Sequence, residues 1–182
     1  PLLEPYSLED GPRGEFYIGV DLGKHVDYSV VAVVMREGAK LKLVHLHRFP
    51  LKTPYANVIG YVKALCKNYH RVEAVYVDQT GVGEYIVEDM KKSGIPAVKG
   101  IVLTMHEKEA IMTFLKQKML SRQIAIPYIN ELIAELNIEK FEITKEGRIK
   151  FNHPAGTHDD MLWAFAFAVY ATKDTSRKML IL

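Results

Sequence analysis

Three acidic positions stand at the ends of the most apolar segments of the chain, and that pattern constrains the fold more than any other feature. Phe16-Tyr17-Ile18-Gly19-Val20 runs straight into Asp21. Glu73 to Val77 runs into Asp78, and Asp159-Asp160 opens the apolar stretch Met161 to Ala171. Runs this short and apolar are of the buried-strand type, covered on both faces. The 11 residues from 161 to 171 are apolar nearly all round, which marks a helix packed into a core and far too short to span a bilayer.

The intervening segments fill in the order. Tyr28 to Met35 is a second, β-branched strand and Leu41 to Phe49 a third, with Glu37-Gly38 as the tight turn between them. Thr53 and Pro54 read as the cap and first position of a helix carrying Val58, Ile59, Val62 and Leu65. After the strand ending at Asp78 come a helix from Gly83 to Ser93 closed by Gly94, a fifth strand from Ala97 to Leu103, and an amphipathic helix from Glu107 to Leu120. A short helix follows over residues 127–136. Residues 139–151 alternate around Gly147 as a charged β-hairpin, and the last helix runs from about His158 to about Lys173. Strand–helix–strand units favour parallel pairing and right-handed crossovers. The expected fold is therefore α/β, an open five-stranded mixed sheet flanked by helices, with an extra hairpin near 139–151. Residues 1–14, rich in proline, glycine and acids, read as a linker or tail, residues 15–175 as one domain, and residues 176–182 as a C-terminal tail.

Composition narrows the chemistry. The single cysteine, Cys66, excludes an intramolecular disulfide framework and any zinc site built on several thiolates. No basic-then-apolar signal segment opens the sequence. Lys and Arg number 24 against 22 Asp and Glu, a net charge of +2, so any argument for nucleic acid must come from a local site.

In an open α/β sheet, ligands sit beyond the carboxyl ends of the strands, where the connection direction switches. If the first and fourth strands are parallel neighbours, Asp21 and Asp78 stand side by side at that point. Asp159 and Asp160 are favoured in a first helical turn by the macrodipole. Each of these acids, taken singly, also suits a turn or a helix cap; their convergence is what points to chemistry. Crowded carboxylates repel unless a cation or a shared proton offsets them. Oxygen-only donors suit Mg²⁺ or Mn²⁺, and two such ions clamp the attacking and leaving oxygens of a phosphodiester. His158 is placed to assist as a hydrogen-bond donor or proton carrier beside the acid pair, or simply to begin the helix. Lys145, Arg148 and Lys150 line the hairpin with acids interleaved, equally a solvated face and a phosphate-contacting one.

These motifs resemble a known family. Ile18-Gly-Val-Asp21-Leu-Gly with Asp27-Tyr-Ser-Val-Val-Ala-Val-Val34 is similar to the first motif of the nuclease domain of viral large terminase subunits of the tailed-phage type. Val75-Tyr-Val-Asp78-Gln-Thr-Gly-Val-Gly83 is similar to the second, and Gly156-Thr-His-Asp-Asp160 with the following apolar run to the third. Lys108 before an amphipathic helix, and Gln123-Ile-Ala-Ile-Pro127, are also like the family. The resemblance implies a ribonuclease H-like fold and a two-ion Mg²⁺ or Mn²⁺ endonuclease that cuts double-stranded viral DNA concatemers during genome packaging. It implies Asp21 and Asp78 as metal-binding catalytic carboxylates and Asp159 or Asp160, or both, as further ligands, with His158 and Lys108 behind them. It also implies an upstream ATPase motor domain outside this chain, portal and small-terminase partners, and the host cytoplasm as the place of action. The alternatives are a Holliday-junction resolvase or transposase-like nuclease of the same fold, and a non-catalytic DNA- or portal-binding domain.

Overall fold

The computed structural model describes residues 2–3, 14–23, 27–138, 140–143, 149–152 and 158–179. Side chains from 138 to 157, and beyond 173, lie outside the described set. The strands are β1 (Leu2–Leu3), β2 (Glu15–Asp21), β3 (Val30–Glu37), β4 (Lys40–Arg48), β5 (Val72–Asp78), β6 (Val98–Ile101), β7 (Ile124–Ile126), β8 (Lys140–Ile143) and β9 (Ile149–Asn152). The helices are α1 (Tyr55–Asn68), α2 (Tyr85–Lys92), α3 (Met105–Leu120), α4 (Asn130–Ile138) and α5 (Asp160–Met179).

Seven strands form one mixed sheet in the order β1-β7-β4-β3-β2-β5-β6. The five strands read from the sequence are the contiguous run from β4 to β6. Two short parallel strands extend its edge: β7 beside the start of β4, and β1 beside β7. Leu2–Leu3 thus belongs to the sheet, within a segment the sequence assigns to a tail. The β8–β9 hairpin stands apart as a two-stranded sheet, as its alternation predicts.

Alternation along the strands builds two cores. Phe16, Ile18 and Val20 of β2, Val31 and Val33 of β3, and Val75 and Val77 of β5 face α1 and α2, through Val58, Ile59, Val62, Ile86 and Met90. Tyr17, Val30, Ala32, Val34 and Tyr76 face α5, with α3 and α4 completing that layer. Both faces are covered, so β3 is buried from Val30 through Met35.

Gly19 fixes where α5 lies. A Cβ built there would stand 2.0 Å from the Ala164 carbonyl oxygen and 2.4 Å from the Ala168 nitrogen. Only a glycine on the strand and alanines on the helix allow backbones this close. The helix begins at Asp160, one turn before Ala164, so this contact also sets the height of its first acid over the sheet.

Several helix ends differ from their sequence reading, α4 among them, which runs Asn130–Ile138 against an expected 127–136. Pro54, not Thr53, is the N-cap of α1, and Thr53 Oγ1 instead donates to the Pro50 carbonyl at 2.7 Å. The Pro54 ψ of 138° is extended, which keeps this residue outside the helix. At the other end, α5 continues to Met179 rather than stopping near Lys173. No glycine or proline follows Ala171 to end it.

Candidate active site

Parallel pairing of β2 with β5 puts Val20 opposite Val77, so Asp21 and Asp78 leave the sheet from adjacent strands at the same level. Gly19 and Tyr76 face α5, and side chains two positions on share that face. Both aspartates therefore rise toward the N-terminus of α5, where Asp159 and Asp160 sit. The three acidic elements of the sequence meet at one end of the sheet.

Local hydrogen bonds hold each acid. Asp78 Oδ1 accepts from the Thr80 backbone N–H at 2.7 Å, closing the turn after β5. Thr80 Oγ1 accepts in turn from the Leu103 N–H at 2.8 Å, tying that turn to the end of β6. Asp160 Oδ2 accepts from the Tyr28 N–H at 3.2 Å, across 132 residues of sequence. Asp159 Oδ2 accepts from the Trp163 indole N–H at 2.9 Å. His158 Nδ1 lies 3.6 Å from Asp160 Oδ2, and its ring meets the Tyr28 ring edge-on. Lys108 Nζ sits 5.5 Å above the Trp163 ring, one residue removed from Asp159. His158 thus stands beside Asp160, and Lys108 beside the Trp163 ring that donates to Asp159.

Electrostatics confirm the crowding. Burial, followed by the charges of Asp78, Asp160, Asp159 and Asp27, holds the Asp21 pKa well above the usual carboxylate range. Burial pushes Asp160 up to about 6, against the Tyr28 N–H and with Asp27 and Asp159 adding repulsion. Like charges gathered this way favour a bound proton or cation. Among the described residues, no three His, Cys, Asp or Glu side chains stand as placed in an arrangement that holds a metal ion.

Two acids here escape a reading by motif ends. Asp27 lies in the loop between β2 and β3, which the Gly23 N–H closes by donating to Ser29 Oγ at 3.1 Å. Glu135 comes from α4, is 8% exposed, and accepts from the Leu162 N–H at 2.8 Å, capping the first turn of α5. Burial raises its pKa to about 7, with Asp160 and Asp159 adding to it. The signal in the sequence was an acid on the apolar side of a short helix, between Leu132 and Leu136. Lys145, Arg148 and the Lys150 side chain fall outside the described residues. Cys66 is no nucleophile, because burial pushes its thiol up to about 11.

A mixed sheet with helices on both faces, and acids converging from two central strands and a final helix, defines a ribonuclease H-like α/β domain. The comparisons then fix the family. Residues 18–171 match the family described as "Terminase RNaseH-like domain", and the chain belongs to it. It is 30% identical to the large terminase subunit of Thermus virus P23-45 over 95% of its own length. It spans 37% of that relative. The large terminase nuclease of the thermophilic phage G20c superimposes with a TM-score of 0.79 at 25% identity, covering 93% of this chain and 92% of that one. The same nuclease with bound magnesium gives 0.79 at 26% identity over the same shares.

Proposed function

We propose that this domain is a DNA endonuclease that cuts double-stranded viral DNA during genome packaging, using two divalent ions, Mg²⁺ or Mn²⁺. The observation that carries the reading is the parallel register of β2 and β5, which aligns Asp21 with Asp78 beneath the Asp159-Asp160 end of α5. The donors are carboxylate oxygens, hard ligands of the kind these ions take. Raised pKa values at Asp21 and Asp160 are the mark of negative charge waiting for a cation. The relative solved with bound magnesium supports the same choice.

Asp21, Asp78, Asp159 and Asp160 would hold the ions, turning their side chains toward a common point. Bound there, a pair of divalent ions supplies an activated water and stabilises the leaving oxygen of an in-line displacement. The residues around them do the rest. The Tyr28 N–H orients Asp160, and the Trp163 indole orients Asp159. His158 Nδ1, 3.6 Å from Asp160 Oδ2, is placed to orient that carboxylate. Lys108 keeps a positive charge over Trp163 at the border of the acids. Phosphate contacts along the duplex need no sequence readout, so cleavage would be weakly specific.

The test is nicking and linearisation of plasmid DNA with Mg²⁺ or Mn²⁺. Asp21→Asn and Asp78→Asn should each lower the rate by more than the roughly 10–100-fold typical of lost outer-shell partners. Undiminished cleavage by either variant contradicts the assignment.

A further inference from the structure

A second cleft opens at the same end of the sheet as the acids, on the α1 and α2 side. It measures about 670 Å³ and is lined by Gly23, Lys52, Tyr55, Gly81, Val82 and Tyr85, together with Thr53 and Pro54. Gly23 follows Asp21 by two residues, and Gly81 follows Asp78 by three. The cleft therefore lies where β2 and β5 end, between the N-termini of α1 and α2, while the aspartates rise from the same strand ends toward α5.

Its walls have two chemistries. One is aromatic. Tyr85 is 55% exposed, a large ring left on the surface at the first position of α2. The Tyr55 hydroxyl donates to the Gly23 carbonyl at 3.3 Å, so this ring is fixed against the acidic loop. Tyr55 and Tyr85 line the same cleft. Gly81 and Gly83 hold φ of 73° and 81°, a backbone conformation that suits glycine, and Gly81 and Val82 of this turn line the cleft.

The other wall suits an anion. α1 starts with no side-chain cap and no acid in its first turn, so its first N–H groups point outward with the positive end of the helix dipole. Lys52 stands two residues before the Pro54 cap with φ of 63°, a left-handed conformation that a lysine adopts only when its surroundings impose it. The imposed turn is visible: the Thr53 N–H and Oγ1 both donate to the Pro50 carbonyl, at 3.2 and 2.7 Å.

A flat aromatic surface beside a cation and an open helix N-terminus, at the end of the sheet that carries the acids, matches one ligand chemistry. A nucleotide presents a base to stack and a phosphate to neutralise. Within a continuous duplex each base is already stacked on both sides, so only an unpaired base has a face to give Tyr85. We propose that this cleft is a subsite for one unpaired nucleotide of the strand being cut, with its base on Tyr85 and Tyr55 and its phosphate on Lys52 and the N-terminus of α1. This rests on the nuclease reading above and adds to it that the duplex is opened locally beside the scissile bond.

The experiment is equilibrium binding by fluorescence anisotropy in an Asp21→Asn background, which removes cleavage. The probes are a fully paired 30-base-pair duplex and the same duplex with a single-nucleotide bulge. The parent should prefer the bulged duplex by about tenfold, the scale of one base–aromatic stack. Tyr85→Ala should abolish the preference and Tyr85→Phe keep it. Lys52→Ala should weaken both duplexes and lower the salt slope by about one. Tyr85 is exposed, so its removal leaves the cores intact. Equal affinity of the parent for the two duplexes, or an unchanged preference in Tyr85→Ala, overturns the subsite. Cleavage by Asp21→Asn overturns the nuclease assignment instead, so the two failures are distinguishable.

Discussion

The two ends of the central sheet treat their acids in opposite ways. Where β2 begins, Glu15 lies 3.7 Å from Arg36 and 3.0 Å from Arg71, and Arg71 also donates to Glu73 at 2.7 Å. Each acid there meets a cation. Where β2 ends, Asp21 meets Asp78, Asp159, Asp160 and Asp27, and its pKa rises. A cleft of about 850 Å³, larger than the one between α1 and α2, lies at the paired end, lined by Glu15, Arg36, Arg71 and Lys118. Cleft size is thus a poor guide to chemistry in this protein. Paired charges describe an end built to hold together, and crowded like charges an end that favours a bound proton or cation.

That contrast can be pressed in three ways, taken from the largest expected effect downward. Glu135→Ala removes the buried acceptor of the Leu162 N–H and should cost about 2 kcal/mol in denaturant unfolding. Glu135→Gln keeps an acceptor and sheds the charge. In EDTA at about pH 8 it should be at least as stable as the parent, because the parent carries an ionised carboxylate that its surroundings disfavour.

The pH dependence follows from the same shifts. Glu135 rises from 4.5 to about 7, and Asp160 from 3.8 to about 6. Raised carboxylates contribute stability below their unfolded values, and that contribution is lost as pH climbs through the folded ones. Thermal midpoints in EDTA should therefore fall between about pH 4 and pH 7, and millimolar Mg²⁺ should flatten the fall by binding the ionised cluster. A midpoint that rises steadily over this range, or ignores Mg²⁺, would erase the contrast.

The smallest effect belongs to the paired end. Arg71→Ala, exposed and bridging two acids, should shift the midpoint slightly and leave DNA cleavage unchanged. A large loss of cleavage there would mean that the paired end serves the chemistry after all.

What the sequence disclosed, and what it hid, has a physical pattern. The five central strands were legible because they are long apolar runs closed by turn residues, and the acids because they fall where those runs stop. β7 has three residues and β1 two, too short for any periodicity to register. The Pro54 cap was misplaced by one position because Thr53 spends its hydroxyl on Pro50 rather than on the helix. Glu135 was hidden for another reason. Its role exists only once α4 packs against the start of α5, a contact between residues 27 apart that no local pattern encodes. Gly19 likewise read as one more residue of the first strand, whereas its work is to admit the backbone of α5.

The central claim is that the acid-bearing end of the sheet holds divalent cations. Isothermal titration of the metal-free domain with Mn²⁺, repeated on Asp21→Asn and Asp78→Asn, tests it most directly. Saturable binding in the parent, weakened at least tenfold in each variant, is the predicted result. A parent that binds no Mn²⁺, or variants that bind it as the parent does, would contradict the account.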